Sequence, residues 1–233
     1  MFDFGAPWRG SLARYHFRHS VVGEASNGSG GYWVLRSNGS VVNFGTPWLG
    51  SPVSRDLTSP AVAIVATPDG GGYWVVTAAG NVFNYGDAKW FGSLAGAHHG
   101  SPVVRLAVAA NVDGYWLLRS DGKVSAFGGA RFYGGSSPLA SSAVGFAATP
   151  DGGGYWVVTA AGNVFNYGDA KWFGSLARLH PAAPVVDFTP TADGAGYWLA
   201  TSAGNVSNYG SAVWRGSEGG RHIGTSVVGI VRN

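Results

Sequence analysis

The chain has 233 residues, a net charge of +3 and a pI near 9.3, and only 12% of its residues are charged. It contains 39 glycines, 10 tryptophans and no cysteine, which excludes disulfides and thiol chemistry. No apolar run approaches the ~18 residues of a membrane span. The basic residues do not cluster as in nucleic-acid binders, so neither a membrane span nor a nucleic-acid partner is expected.

The first residues, "MFDFGAPWRGS", match the middle of a repeat unit and lack the charged and apolar regions of a signal peptide. The unit itself is marked by a Tyr-Trp pair after glycine, which recurs at intervals of 41, 42, 40 and 42 residues. The pairs begin at Tyr32, Tyr73, Tyr115, Tyr155 and Tyr197. A period of about 40–45 residues with several short strands per unit is typical of a β-propeller blade.

Each unit is predicted to contain four short antiparallel strands. In chain order they are an apolar strand a ("PVVRLAV"), strand b ("GYWVV"), strand c ("NVFNYG") and strand d ("KWFGS"). Asn38-Gly39 and Asp121-Gly122 are strong hairpin signals between strands b and c. A longer link then crosses to the next unit, and the 29 residues of Thr67–Ala95 recur unchanged at Thr149–Ala177.

The number of strand patterns predicts how the ring closes. Strands a and c each occur six times, whereas strand b occurs five times. We therefore predict one all-β propeller domain over residues 1–233 with about six blades, and a five-bladed ring is the alternative. The last blade would take strand a from "SVVGIVRN" and strands c and d from the N-terminus. It would lack one strand, as if cut from a longer array, and its open edge would favour self-association.

The tryptophans fall into a strand b set and a strand d set. Filling between neighbouring blades is the expected role of both sets. The strand d set, at the outer rim, also supplies secondary candidates for ligand binding. These are Trp8, Trp48, Trp90, Trp172 and Trp214.

Arginine and histidine concentrate in the links between strands d and a, which should emerge on one face of the ring. Such a face would attract carboxylate, sulfate or phosphate groups. The alternative is that these loops carry the polar residues that solubility requires. The candidate binding residues are Arg14, His16, Arg18, His19, Arg55, His98, His99, Arg178, His180, Arg221 and His222.

Catalytic signals are weak. Glutamate occurs only at Glu24 and Glu218, so no acid pair for glycoside hydrolysis stands out. Asp69, Asp151 and similar residues of Asp-Gly turns are expected to stabilise those turns. No metal site and no cofactor are predicted.

The unit "ATPDGGGYWVVTAAGNVFNYGDAKWFGSL" resembles a tandem repeat of secreted and surface proteins of actinobacteria, for which a propeller is expected. The resemblance implies a secreted or cell-surface accessory module and transfers no catalytic residues. The segments "TPDGGGYW" and "TADGAGYW" are also similar to the Asp-box turn of sialidase-type propellers, in which the aspartate binds backbone amides.

These observations predict a non-enzymatic, lectin-like extracellular module. It would bind a saccharide or an anionic cell-wall polymer through the loops that carry arginine and histidine. The alternative is a structural or protein-interaction scaffold without a small ligand. A glycoside hydrolase is the least favoured function.

Overall fold

The computed structural model describes residues 9–12, 18–54, 57–111, 113–136, 138–221, 224 and 226–231. These residues form an all-β propeller fold that contains five three-stranded antiparallel sheets. The strands are β1 Val21–Ser26, β2 Tyr32–Arg36, β3 Val41–Phe44, β4 Ala61–Ala66, β5 Gly72–Thr77, β6 Val82–Gly86, β7 Val103–Ala107, β8 Gly114–Arg119, β9 Val124–Gly128, β10 Ala143–Ala148, β11 Gly154–Thr159, β12 Val164–Gly168, β13 Val185–Pro190, β14 Gly196–Thr201 and β15 Val206–Gly210. Two short 3-10 turns, Pro52–Ser54 and Ala177–Leu179, lie in the links.

Each sheet has the order a-b-c, with the Tyr-Trp strand in the centre. In β5 and β11 all six residues are buried, because neighbouring sheets cover both faces of the central strand. Strand c is less covered: in β6 and β12 only the first residue is buried, and half-buried and exposed positions alternate after it. Burial therefore decreases from the central strand to strand c.

Every strand a contains a β-bulge at its second residue. That residue is always valine, at Val22, Val62, Val104, Val144 and Val186. Four of these valines line a cavity of about 400 Å³ together with Val228 near the C-terminus. Since this cavity joins first strands from across the molecule, strand a is the inner strand that lines the central axis. A bulge is a common means of redirecting a side chain.

Successive sheets pack through four apolar clusters. In each cluster the strand b tryptophan of one sheet meets the strand b tyrosine of the next. Trp33 and Tyr73 have ring centroids 5.1 Å apart, and Trp156 and Tyr197 are 6.2 Å apart. The Tyr-Trp pair thus repeats because each blade needs the tyrosine on one face and the tryptophan on the other.

The prediction of a fourth strand in each blade is wrong for the described residues. The segment at Lys89–Ser93, predicted as strand d, carries no strand. Gly92 has a φ of +131°, a backbone conformation that residues other than glycine rarely adopt. Side chains rather than a neighbouring strand bind the carbonyls of this segment, as described below.

The two ends of the described chain continue the repeat at a sixth position. Val227 N–H donates to the Ser202 carbonyl at 2.9 Å, as Val185 N–H does to Ala160 one unit earlier. The Tyr32 hydroxyl donates to the Gly10 carbonyl, as later tyrosines do to the corresponding glycines. These contacts place described residues of both ends at equivalent positions of the repeat. The strand c predicted at the N-terminus lies outside the described residues, and the shared last blade and the number of blades stay predictions. None of the helical segments in the described ranges has the length and apolar character that a membrane crossing requires.

Candidate binding surface

One large aromatic side chain per repeat is exposed on the segment after strand c. We call this set the aromatic row: Trp48, Trp90, Phe132, Trp172 and Trp214, which are 57–62% exposed. The expectation that the strand d tryptophans fill the core is therefore wrong for Trp48, Trp90, Trp172 and Trp214, and their secondary assignment as binding candidates stays a prediction. Trp8 lies outside the described residues. Phe132 was missed because only tryptophans were considered, although "FYG" aligns with "WFG" in the neighbouring repeats.

Trp48, Trp90, Phe132 and Trp172 are anchored through the backbone on both sides, whereas the described bonds anchor Trp214 only on the preceding side. Before Trp90, the Lys89 carbonyl accepts a hydrogen bond from the indole Nε1 of buried Trp74 at 2.7 Å. After Trp90, the Gly92 carbonyl accepts one from the hydroxyl of Tyr115, which belongs to the next sheet. The exposed ring is thus held by two different blades.

The same indole bond occurs in all five described repeats, with distances of 2.7–2.9 Å. The acceptors are the carbonyls of Pro47, Lys89, Arg131, Lys171 and Val213.

The residue after the exposed ring points inward in three repeats. Phe91, for example, packs edge-on against Tyr115 at 5.4 Å, and Phe173 does so against Tyr197 at 5.6 Å. The row is therefore preorganised, and a partner would not have to order it on binding.

A groove of about 390 Å³ lies beside the row between the second and third sheets. Pro68, Phe91 and Val108 contribute its apolar lining. Lys89 Nζ lies 3.3 Å from Asp113 Oδ1 at its edge, and both side chains are mostly exposed. An exposed ion pair of this kind contributes little to stability, so the pair remains available to a polar ligand.

The aspartates of the Asp-Gly turns act mainly as turn ligands, as predicted. Asp69 Oδ1 accepts the Gly71 N–H at 3.3 Å, and Asp151 Oδ1 accepts the Gly153 N–H at 3.2 Å. A hydrogen bond from the Thr67 side chain is the main cause that lowers the pKa of Asp69 below its usual value. Asp113 differs, because its carboxylate pairs with Lys89.

The predicted arginine and histidine site is spread over separate links. Arg18, His19, His98, Arg178, His180 and Arg221 are exposed, and His99 is half-buried. Arg14, His16, Arg55 and His222 lie outside the described residues. In the parts of the chain that the structure describes, no contact joins these side chains across two links.

Several of these groups already have partners. His99 Nδ1 lies 2.7 Å from the Ser101 carbonyl and its Nε2 lies 3.2 Å from that of Ala79. Arg221 pairs with the buried carboxylate of Glu218 at 3.2 Å. His99 thus joins its link to the preceding b-to-c turn, as expected if both lie on one face. A ligand role for the set stays a prediction.

The described residues contain no cluster of three or more histidine, aspartate or glutamate side chains that could hold a metal ion. One charged pair lies near the axis, where Arg105 Nη2 is 3.6 Å from Asp187 Oδ1. The same arginine donates to the Val104 and Val186 carbonyls at 3.0 and 2.9 Å. This pair thus links the third and fifth sheets.

No family model and no curated protein matches the chain. Among solved structures, the chain is similar to one titled "YCF48 bound to D1 peptide", with a TM-score of 0.52 and 17% sequence identity. The match covers 86% of this chain and 68% of the other. YCF48 is a β-propeller, so the similarity concerns the fold.

Proposed function

We propose that this propeller is a non-catalytic protein-interaction scaffold that contacts its partner through the aromatic row. The observation that carries the proposal is the repetition of one exposed and anchored aromatic side chain in every described repeat. Exposed tryptophans are rare on soluble surfaces, and tryptophan and tyrosine are enriched at protein interfaces. Rings that stand on a backbone already held in place can be buried by a partner at a lower cost in entropy than rings on an unanchored loop.

The positions of the acidic groups support a non-catalytic role. Two carboxylates approach each other in the second repeat, those of Asp69 and Asp87, but both bind the turn at Thr67. Thr67 Oγ1 donates to Asp87 Oδ1 at 3.0 Å, and the same contact joins Thr149 and Asp169 in the identical copy. These acids maintain turn geometry.

The solved propeller gives weaker support. Its title names a bound peptide, so a fold of this type can hold a polypeptide. At 17% identity the binding residues cannot be transferred. The proposal therefore depends on the aromatic row of this chain.

Saccharide binding is the second candidate, because equivalent sites in successive blades are what a multivalent lectin requires. Aromatic rings stack on sugar faces, and a basic residue precedes the ring in three repeats, at Lys89, Arg131 and Lys171. These cations would favour an anionic polymer. A site of action outside the cell is part of this candidate and relies on the resemblance to the actinobacterial repeat.

The test compares the native chain with three variants. The row variant carries Trp48→Ser, Trp90→Ser, Trp172→Ser and Trp214→Ser. The control variant carries Leu179→Ser, which removes a side chain of similar exposure (71%) outside the row. The loop variant carries Arg178→Ala and His180→Ala. Each protein is applied to a displayed peptide library and to an array of wall, uronic and sialic glycans at low and high salt.

The scaffold proposal expects peptide ligands that bind the native chain and the control variant but do not bind the row variant. Glycan ligands with this same dependence would replace it with the saccharide candidate. Ligands that are lost only in the loop variant, and that weaken with salt, would move the site to the arginine and histidine links. Equal binding by all four proteins would contradict a role of the aromatic row.

A further inference from the structure

The two identical copies of the 29-residue segment have different neighbours. Beside the first copy lies the groove of about 390 Å³ between the second and third sheets, and Trp74 is one of its lining residues. Beside the second copy, the turn of the fifth sheet packs closely, since a Cβ placed on Gly194 would lie 2.7 Å from Pro150 Cδ. Trp156, the counterpart of Trp74, is fully buried there. One sequence therefore presents two different surfaces.

The lining of the groove beside the first copy is largely apolar. Pro68, Trp74, Phe91 and Val108 contribute to it, and they belong to the second and third repeats, far from either end of the chain. Arginine and lysine cover apolar surface with their aliphatic stems while the charged group stays in water. The groove is thus suited to the stem of a long, charged side chain.

The charged groups of this groove are mostly acidic, although the chain as a whole carries a net charge of +3. Three carboxylates and one ammonium group line it, those of Asp69, Asp87, Asp113 and Lys89. Lys89 pairs with Asp113 at 3.3 Å. Among the described residues, no ion pair compensates Asp69 or Asp87. We call this site the acidic groove.

Asp69 and Asp87 are close neighbours, and the turn orients both of them. Thr67 Oγ1 donates to Asp87 Oδ1 at 3.0 Å, and Gly71 N–H donates to Asp69 Oδ1 at 3.3 Å. Both bonds use Oδ1, so the Oδ2 atoms can accept hydrogen bonds from a ligand. Two adjacent carboxylates repel each other, and a cation beside them relieves this repulsion. The charges therefore favour a cationic ligand.

We propose that the acidic groove binds an arginine side chain of the polypeptide that contacts the aromatic row. The inference rests on the proposed function and names the residue that the partner inserts. The arginine stem would lie along the apolar lining, and its guanidinium would bind Asp69 and Asp87. Arginine suits two carboxylates better than lysine, because its planar guanidinium carries five donors in fixed directions. Trp90, which is 58% exposed and adjoins Phe91 of the groove, would cover the flanking residues of the partner.

Lys89 distinguishes this ligand from an anionic one. Lys89 holds Asp113 and repels an incoming guanidinium, so it competes with the proposed arginine. Lys89→Met should therefore strengthen arginine binding about threefold. For an anionic polymer, Lys89 would be the attracting group, and the same variant should weaken binding. The two ligand classes thus predict opposite signs for one substitution.

The probes are two peptides blocked at both ends. The first is Gly-Leu-Arg-Leu-Gly, and in the second citrulline, which is neutral and similar in shape, replaces arginine. NMR titration of the isotope-labelled chain should show saturable shifts of the Trp90 indole with the arginine peptide. Trp172, in the identical copy, is the internal reference and should shift less. The citrulline peptide should bind about fivefold more weakly, and added salt should weaken only the arginine peptide.

Two matched pairs of variants locate the site. Ala110 is an exposed residue that lines the groove, so Ala110→Trp should fill the groove and abolish saturable binding. Ala192→Trp places the same ring at the equivalent exposed position of the fifth sheet and should leave binding unchanged. Asp69→Asn keeps the acceptor of the turn and should weaken binding about threefold. Asp151→Asn makes the same change in the identical copy and should have no effect.

Three results would overturn the proposal. They are the absence of saturable shifts at Trp90, equal affinity for the arginine and citrulline peptides, and weaker arginine binding in Lys89→Met. Failure of the proposed function gives a different result. An arginine peptide that depends on Asp69 and binds the row variant as tightly as the native chain would support the arginine site and contradict a role of the aromatic row. Library peptides that depend on the row but not on Ala110 would overturn the arginine site alone.

Discussion

The interface after the fourth sheet and the interface after the fifth differ although their local sequences agree. Trp156 and Trp198 both follow Gly-Tyr, and both donate to a carbonyl of their own repeat, at 2.7 and 2.9 Å. Tyr197 and Phe188 of the next sheet pack on Trp156 with centroid distances of 6.2 and 6.0 Å. Only Trp156 is fully buried. The comparison shows that a blade positions its own tryptophan but depends on its neighbour to bury it.

Truncating the two tryptophans gives the largest expected difference. Trp156→Ala removes a fully buried ring and should lower the free energy of unfolding by about 3–5 kcal/mol. Trp198→Ala removes a half-covered ring and should cost roughly half as much. Urea denaturation followed by circular dichroism measures both values. Equal losses would mean that the fifth interface is as well packed as the fourth.

The second-largest effect is expected from alkaline pH, which should destabilise the interfaces between neighbouring sheets. Burial is the main cause that raises the pKa of Tyr73 to about 12 and that raises the pKa values of Tyr115, Tyr155 and Tyr197. In the unfolded chain these phenols ionise near their ordinary pKa of about 10. The unfolded state therefore loses protons first, and stability should fall as pH rises from about 10 to 12.

The measurement is urea unfolding at several pH values with constant salt. Tyrosine ionisation is expected to leave the free energy of unfolding unchanged below about pH 10 and to lower it above that pH. A Tyr73→Phe variant cannot ionise at this position and should show a shallower decline. An identical slope in that variant would exclude Tyr73 as a source of the alkaline sensitivity.

Removing one hydroxyl should have a smaller effect that isolates one hydrogen bond between neighbouring blades. The Tyr197 hydroxyl donates to the Gly174 carbonyl at 2.6 Å and accepts from the Phe173 and Gly174 amides at 3.0 Å. Tyr197→Phe leaves these buried groups without that partner and should cost about 1–2 kcal/mol. Tyr209→Phe is the control, because no described hydrogen bond uses its hydroxyl, and its cost should stay below ~0.5 kcal/mol. A neutral Tyr197→Phe would mean that this hydroxyl bond adds nothing to the stability of the interface between the blades.

Much of the fold follows from the sequence because one pattern is repeated under the same constraints. The Tyr-Trp spacing predicts the central strands, since each must present one aromatic face to each neighbouring blade. The Asn-Gly and Asp-Gly turns predict the hairpins. The segment after strand c was wrongly predicted to be a strand, because Trp90 and Phe91 point to opposite sides as strand residues do. In the structure the carbonyls of this segment accept hydrogen bonds from the side chains of Trp74 and Tyr115, which belong to two different blades.

The candidate site is harder to derive from the sequence. Nothing in "KWFGS" distinguishes an exposed tryptophan from a buried one, because its orientation is set by Trp74 and by Tyr115 of the next repeat. The arginine and histidine links are visible in the sequence, but their three-dimensional separation is not. The exposure of Trp198, whose local sequence matches that of Trp156, also needed the structure.

The smallest expected effect concerns the attachment of the terminal segment. Asp187 accepts the Ile230 N–H at 3.1 Å and lies near Arg105. Burial raises the pKa of this carboxyl, and Arg105 and the Ile230 N–H only partly offset this effect. The Asp187 carboxyl therefore stays protonated to a higher pH in the folded state than in the unfolded state. The contribution of Asp187 to stability should therefore fall as pH rises through the acidic range.

Replacing Asp187 should separate the hydrogen bond from the charge. Asp187→Ala removes the acceptor and should speed hydrogen exchange of the Ile230 amide about fivefold, equivalent to about 1 kcal/mol. Asp187→Asn keeps an acceptor and should restore most of the protection. The Val185 amide, bound to the Ala160 carbonyl at 2.9 Å in a complete sheet, is the internal reference and should not change. If both amides exchanged faster together, the terminal segment and the fifth sheet would open as one unit. The contrast between complete and incomplete interfaces would then not extend to local stability.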